Sequence, residues 1–203
     1  GNAFRMLAEV DAKAENCKKA INACEEALKV YTHERFPLDY AMIKNNLGNA
    51  YQTLADVETK VENCKKAIKA YEEALKIRTF EHVPVDYAMT QNNLGTAYNV
   101  LAEVEAKVEN GEKATNAFKE ALKVRTLESF PLDYAMTQNN LGNAFKMLAE
   151  VESKAENCKK AINAYEEALK VYTFEHFPTQ YATIQNNLGN TYSTLAEVVA
   201  KAE

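Results

Sequence analysis

PLDYAMIKNNLGNAYQTLADVETKVENCKKAIKAYEEALKIRTFEHV occupies residues 37–83, and its phase continues on both sides along the whole chain. The Asn-Asn-Leu-Gly block inside it stands at residues 45–48, 92–95, 139–142 and 186–189, a fixed step of 47 residues. Residues 48–94 and 142–188 are identical at 33 of 47 positions, so the repetition runs through the whole unit. Units that recur at 20–50 residues stack on their neighbours into one-dimensional arrays. Such an array offers a long surface and no enclosed cleft, so binding is the first functional expectation.

Within residues 37–83 the signals are helical. Pro37 suits a first helical position, and Asp39 complements the positive end of the helix dipole. Tyr40, Ile43, Leu47, Ala50, Tyr51 and Leu54 follow at steps of three and four, predicting a first helix over about 38–57. Glu58–Asn63 is polar and predicts the turn. Cys64, Ala67, Ile68, Tyr71, Ala74 and Leu75 predict a second helix ending near Thr79, with Lys65, Lys69, Glu72 and Lys76 outward and Glu72–Lys76 as an i,i+4 pair. Gly48 inside a helix costs about 1 kcal/mol relative to alanine. Its recurrence predicts close contact with the small residues Ala67 and Ala74, with Tyr51 filling the larger gap.

The whole chain reads as one array: a partial unit 1–36, full units 37–83, 84–130 and 131–177, and a partial unit 178–203. Nine helical segments follow from this phase, and no strand pattern occurs. Gly1 and Glu203 fall partway through a unit, as in an excerpt from a longer array. The net charge of −5 and the lack of a lysine-arginine cluster argue against nucleic acid. No apolar run approaches the 18 or so residues of a membrane span, so no membrane partner is expected.

The four cysteines are not a framework. Cys17, Cys64 and Cys158 share one phase, with Gly111 in the remaining unit, and Cys24 stands where Tyr71, Phe118 and Tyr165 stand. Cys17 and Cys24 would sit roughly 10 Å apart along a helix, too far for a disulfide. They predict packed thiols in a reducing compartment, the cytoplasm. Neither metal nor cofactor is expected. His33, His82 and His176 lie in loops between units without a chemical partner, Glu72–Glu73 lacks a cleft, and no glycine-rich phosphate loop occurs, so catalysis is not expected.

Asn-Leu-Gly-Asn-Ala-Tyr at 46–51, followed by Ala-Ile-x-x-Tyr-x-x-Ala-Leu at 67–75, resembles the tetratricopeptide repeat. Lys44 departs from the large aromatic expected at its position, and the unit exceeds the usual 34 residues by about seven in the hairpin turn and six between units. The asparagine block and long linker also resemble kinesin-light-chain-type repeats. The 47-residue unit resembles arrays of bacterial and archaeal signalling proteins that accompany caspase-like or nucleotide-binding domains. The resemblance implies an all-α, right-handed superhelical solenoid of antiparallel helix hairpins. It also implies protein–protein interaction through a concave groove lined by the first helices.

An angular count at 100° per residue, with Leu47 at zero, places a polar but almost uncharged face opposite the core stripe. In the first full unit it carries Met42, Asn45, Asn46, Asn49 and Gln52. The later units present Met89, Asn92, Asn93 and Thr96; Met136, Asn139, Asn140, Asn143 and Lys146; and Asn186, Asn187 and Asn190. Asparagine amides both donate and accept, so they can hold an extended peptide backbone, and methionine adds adaptable apolar contact. The same asparagines can instead bond the neighbouring helix and fix repeat spacing. Arg5 and Lys146 are the only bases on this face. The family's clamp for C-terminal carboxylates needs basic residues where Met42, Met89, Met136 and Thr183 stand, so that ligand is not expected. The expected function is a scaffold binding a peptide or protein segment along the groove. The alternative is an architectural spacer or self-assembling element, and the partial units make end-to-end self-association a further expected mode.

Overall fold

The computed structural model describes the backbone of residues 2–200 and the side chains of residues 9–198 and 200. The side chain of Arg5 lies outside the described residues. Eight helices make up the described structure: α1 (Asn2–Leu28), α2 (Pro37–Ala55), α3 (Lys60–Leu75), α4 (Pro84–Ala102), α5 (Lys107–Leu122), α6 (Pro131–Ala149), α7 (Lys154–Leu169) and α8 (Pro178–Val199). The chain divides into two compact units, residues 1–104 and 105–203. In the first, α1 packs on α2, α2 on α3 and α3 on α4, and α2 also touches α4. In the second, α5 packs on α6, α6 on α7 and α7 on α8, and α6 also touches α8. Each is the all-α stack of consecutive helices that the period predicts.

The first-type helices α2, α4, α6 and α8 all open on a proline. The residue before it leaves the helical region, with φ −141° and ψ 65° at Phe36 and φ −140° and ψ 66° at Val83, because proline disfavours a helical predecessor. The loop ahead closes on itself: the Phe36 amide donates to the Thr32 carbonyl at 3.0 Å and the Val83 amide to that of Thr79 at 3.1 Å. Two of the three loop histidines bond here, His82 Nδ1 lying 2.8 Å from Thr79 Oγ1 and His176 Nδ1 3.1 Å from Thr173 Oγ1, while His33 packs edge-on against Tyr40.

The hairpin turn lies earlier than the polar stretch suggests. The second-type helix starts at Lys60 and ends at Leu75, not near Thr79. The chain reverses at Thr59, Ala106 and Ser153, left-handed residues with φ of 38°, 47° and 43°. None is glycine, so the usual sequence mark of such a residue is missing. What holds the turn is an asparagine four residues on. The Nδ2 of Asn63, Asn110 and Asn157 donates to the carbonyls of Glu58, Glu105 and Glu152 at 2.8, 2.7 and 3.0 Å, and all three asparagines are buried.

Ala12 has the phase of these turn residues yet lies inside α1, which runs unbroken from Asn2 to Leu28. Asn16, the equivalent of Asn63, is correspondingly exposed. The two segments expected ahead of Pro37 are therefore one helix, and eight helices stand where nine were predicted.

The core follows the predicted stripe. Ile43, Leu47 and Leu54 are buried on α2, with Cys64, Ala67, Ile68, Tyr71 and Ala74 on α3. Ala14, Cys17, Ile21, Leu47, Leu54 and Ala70 form one apolar cluster. Two contacts differ from expectation. Gly48 faces the Tyr71 ring rather than Ala67 and Ala74, and a Cβ there would lie 2.5 Å from Tyr71 Cε1. Lys76 pairs with Glu73, while Glu72 accepts the Tyr98 hydroxyl at 2.8 Å.

Candidate functional site

The asparagine face is divided between interior and surface. Asn45 and Asn92 are buried at 2% and 5% exposure, because α2 and α4 touch neighbours on more than one side. Asn46, Asn49, Asn186 and Asn190 are exposed, as are Met42 and Met136. Gln52, Met89, Asn93, Thr96, Asn139, Asn140, Asn143, Lys146 and Asn187 are half-buried.

The exposed amides are held from behind. Tyr71 is fully buried, and its single hydroxyl hydrogen is shared between Asn49 Oδ1 at 2.8 Å and Gln52 Oε1 at 2.9 Å. Burial raises the Tyr71 pKa, so the phenol stays protonated and keeps donating. Asn93 Nδ2 donates to the same Asn49 oxygen at 3.1 Å. The arrangement repeats in the second unit, where the Tyr165 hydroxyl reaches Asn143 Oδ1 at 2.8 Å and Asn187 Nδ2 reaches it at 3.2 Å. A carbonyl oxygen with two donors is satisfied. The Nδ2 groups of Asn49 and Asn143 meet no acceptor among the described residues. Beside Asn49 runs an open polar cavity lined by Gln52, Thr53, Asp56 and Asn93. Oriented amide donors and a nearby carboxylate can together meet the carbonyls and amides of an extended chain.

A second feature escaped the angular count. Arg78, 5% exposed, lies between α2 and α4. Its Nη1 donates to Thr90 Oγ1 at 3.0 Å, and its Nη2 lies 3.7 Å from Asp86 Oδ1. Thr90 Oγ1 lies 3.2 Å from Asn45 Oδ1, which explains that buried asparagine. Arg125, Thr137 and Asp133 repeat the plug at 3.0 and 3.7 Å. The other two copies hold Tyr31 with Ile43 and Tyr172 with Ile184. This paired exchange at a spacing of twelve is visible in the sequence, but it stands out only when units are aligned on both positions at once.

A sequence model of the tetratricopeptide repeat family matches residues 41–82. That span runs from α2 through α3 into the following loop, and its phase is the one the other units repeat. This match and the eight repeating helices support a tetratricopeptide-type repeat family. Proteins built of tetratricopeptide repeats are in general interaction scaffolds that bind proteins or peptides, and are typically not enzymes. No curated protein matches the chain. Among the described residues, no helix is long and apolar enough to cross a membrane, and no cluster of three or more His, Cys, Asp or Glu could hold a metal ion.

Proposed function

We propose that this tetratricopeptide array binds an extended peptide or protein segment along the face of its first-type helices, α2 with α4 and α6 with α8. The observation that carries the reading is the fixed amide. Asn49 and Asn143 are each locked through Oδ1 by a buried tyrosine and by the next unit's asparagine. A locked side chain loses little freedom on binding, and the energy of its hydrogen bonds goes into affinity. The exposed Met42 and Met136 flank these donors with adaptable apolar surface. A reducing, cytoplasmic setting is supported by four free thiols, three of them buried.

Aspartate is the informative substitution, because Asn→Asp keeps the oxygen that Tyr71 or Tyr165 needs and replaces the outward donor with an acceptor. Linear peptides selected on the parent chain from a random display library should bind the Asn49→Asp/Asn143→Asp variant at least about tenfold more weakly, two lost bonds at roughly 1 kcal/mol each. The folded helical signal should be retained. A library that yields no binder, or binders indifferent to both aspartates, would favour the spacer.

A further inference from the structure

Residues 2–28 and 143–169 are identical at 23 of 27 positions, differing only at Arg5/Lys146, Asp11/Glu152, Ala12/Ser153 and Cys24/Tyr165. The two stretches are nevertheless folded differently. Residues 143–169 form a hairpin, the end of α6 reversing at the left-handed Ser153 into α7. Residues 2–28 form the single straight helix α1.

The straight form leaves a berth unfilled. With α6 packed along α7, the inner face of α7 is closed: Asn157, Cys158, Ala161 and Ala168 are at most 5% exposed. The equivalent face of α1 is open, with Asn16 and Ala20 exposed and Ala27 half-buried. On the neighbouring helix, Thr191 of α8 is 1% exposed, whereas its equivalent Ala50 on α2 is half-buried. An open cavity of about 510 Å³ runs between α1 and α2, lined by Lys13, Asn16, Cys17, Ala20, Asn46 and Ala50 among others.

What fits this berth is written in the chain itself. The equivalent place between α7 and α8 is taken by the end of α6, where Asn187 Nδ2 donates to Asn143 Oδ1 at 3.2 Å. Asn46 is the matching donor on α2 and is exposed, and residues 2–10 repeat residues 143–151 with one change. In a straight α1 that segment runs away from its own berth, about 15 Å over ten residues. Two such helices laid antiparallel about a two-fold axis near Ala12 bring each segment onto the other copy, remaking between copies the contacts of the α6–α7 hairpin. The straight form also spares Ala12 the left-handed conformation that Ser153 adopts, which is costly without glycine.

We infer that the open face of α1 and α2 is an interface between two copies of this chain, which exchange residues 2–10 as a domain-swapped dimer. Each copy carries both the segment and the berth, so the contact is self-complementary and closes at two. The dimer is independent of ligand binding in the groove.

The test is sedimentation velocity of the whole 203-residue chain over a wide range of concentration. A monomer–dimer equilibrium is expected. Ala20→Arg places a long charged side chain at an exposed site of the single copy but inside the exchanged interface. It should keep the helical signal and weaken dimerisation at least about a hundredfold, because the two-fold axis puts the block on both halves. Inserting Gly-Ser-Gly-Ser after Asp11 should let the segment fold back on its own chain and give a monomer, whose melting temperature then falls on adding Ala20→Arg. A parent chain that stays monomeric at every concentration overturns the inference. So does a dimer that survives Ala20→Arg or the lengthened hinge, since the contact then lies elsewhere. Loss of the helical signal in Ala20→Arg would mean that Ala20 is covered within one copy, which overturns it equally.

Discussion

Gly48 and Gly189 share one phase of the repeat but not one environment. The first lies against the ring of a buried tyrosine, where an added Cβ would come within 2.5 Å; around the second nothing lies within 4 Å. Alanine gains about 1 kcal/mol of helix propensity over glycine in either place. At Gly48 that gain is outweighed by forcing Tyr71 off its seat, since overpacking a closed core costs about 1–3 kcal/mol. Gly48→Ala should therefore destabilise the fold by about 1–2 kcal/mol, and Gly189→Ala should stabilise it by up to about 1 kcal/mol. Urea unfolding of both variants checks the opposite signs; equal effects would mean the Gly48–Tyr71 contact is not made. That a glycine marks close approach was legible from its cost. Its partner was not, because the alanines and Tyr71 share the buried face of α3, and only the relative placement of the helices selects among them.

The helices themselves were legible, since apolar steps of three and four on Ile43, Leu47 and Leu54 leave no other reading. Their ends were not. A left-handed residue usually announces itself as glycine, and here threonine, alanine and serine hold that conformation under the grip of a downstream asparagine. A left-handed alanine costs roughly 1–2 kcal/mol, and glycine relieves most of it at some expense in unfolded-chain entropy. Ala106→Gly should raise stability by about 0.5–1 kcal/mol. Thr59→Gly should gain less, because the Thr59 hydroxyl accepts from Asn63 at 3.0 Å and would be lost. Ala12→Gly should do the reverse and cost about 1 kcal/mol, because that residue sits inside continuous helix. Denaturant midpoints at unchanged slope would report this pattern. Stabilisation by Ala12→Gly would show that α1 is broken as the other copies are. The groove asparagines were equally ambiguous at this scale. A polar, uncharged helical face suits both a ligand and a neighbouring helix, and the structure has Asn49 give its oxygen to the stack and point its nitrogen outward.

At the scale of the whole chain, a linear stack should survive loss of a unit, because each repeat leans only on its neighbours. The plugged joints make the outcome depend on which unit is removed. Deleting residues 84–130 places Arg78 opposite Thr137 and Asp133, a matched joint. Deleting 131–177 leaves the same length but places Arg125 opposite Ile184 and Gln180, stranding a buried guanidinium. Both products should be helical, the first more stable than the second by at least about 2 kcal/mol. Collapse of both would rule out a stack, and equal melting would rule out the joint as the discriminator. The same pairing bears on how such an array changes over generations. Near-identical tandem units invite unequal crossing-over, which adds or drops repeats. Arginine and threonine straddle the proline that opens each unit, so an exchange point falling between residues 78 and 90 parts the two, whereas one in the hairpin turn passes them on together. Lineages that lengthen or shorten this array should carry their breakpoints in the turn.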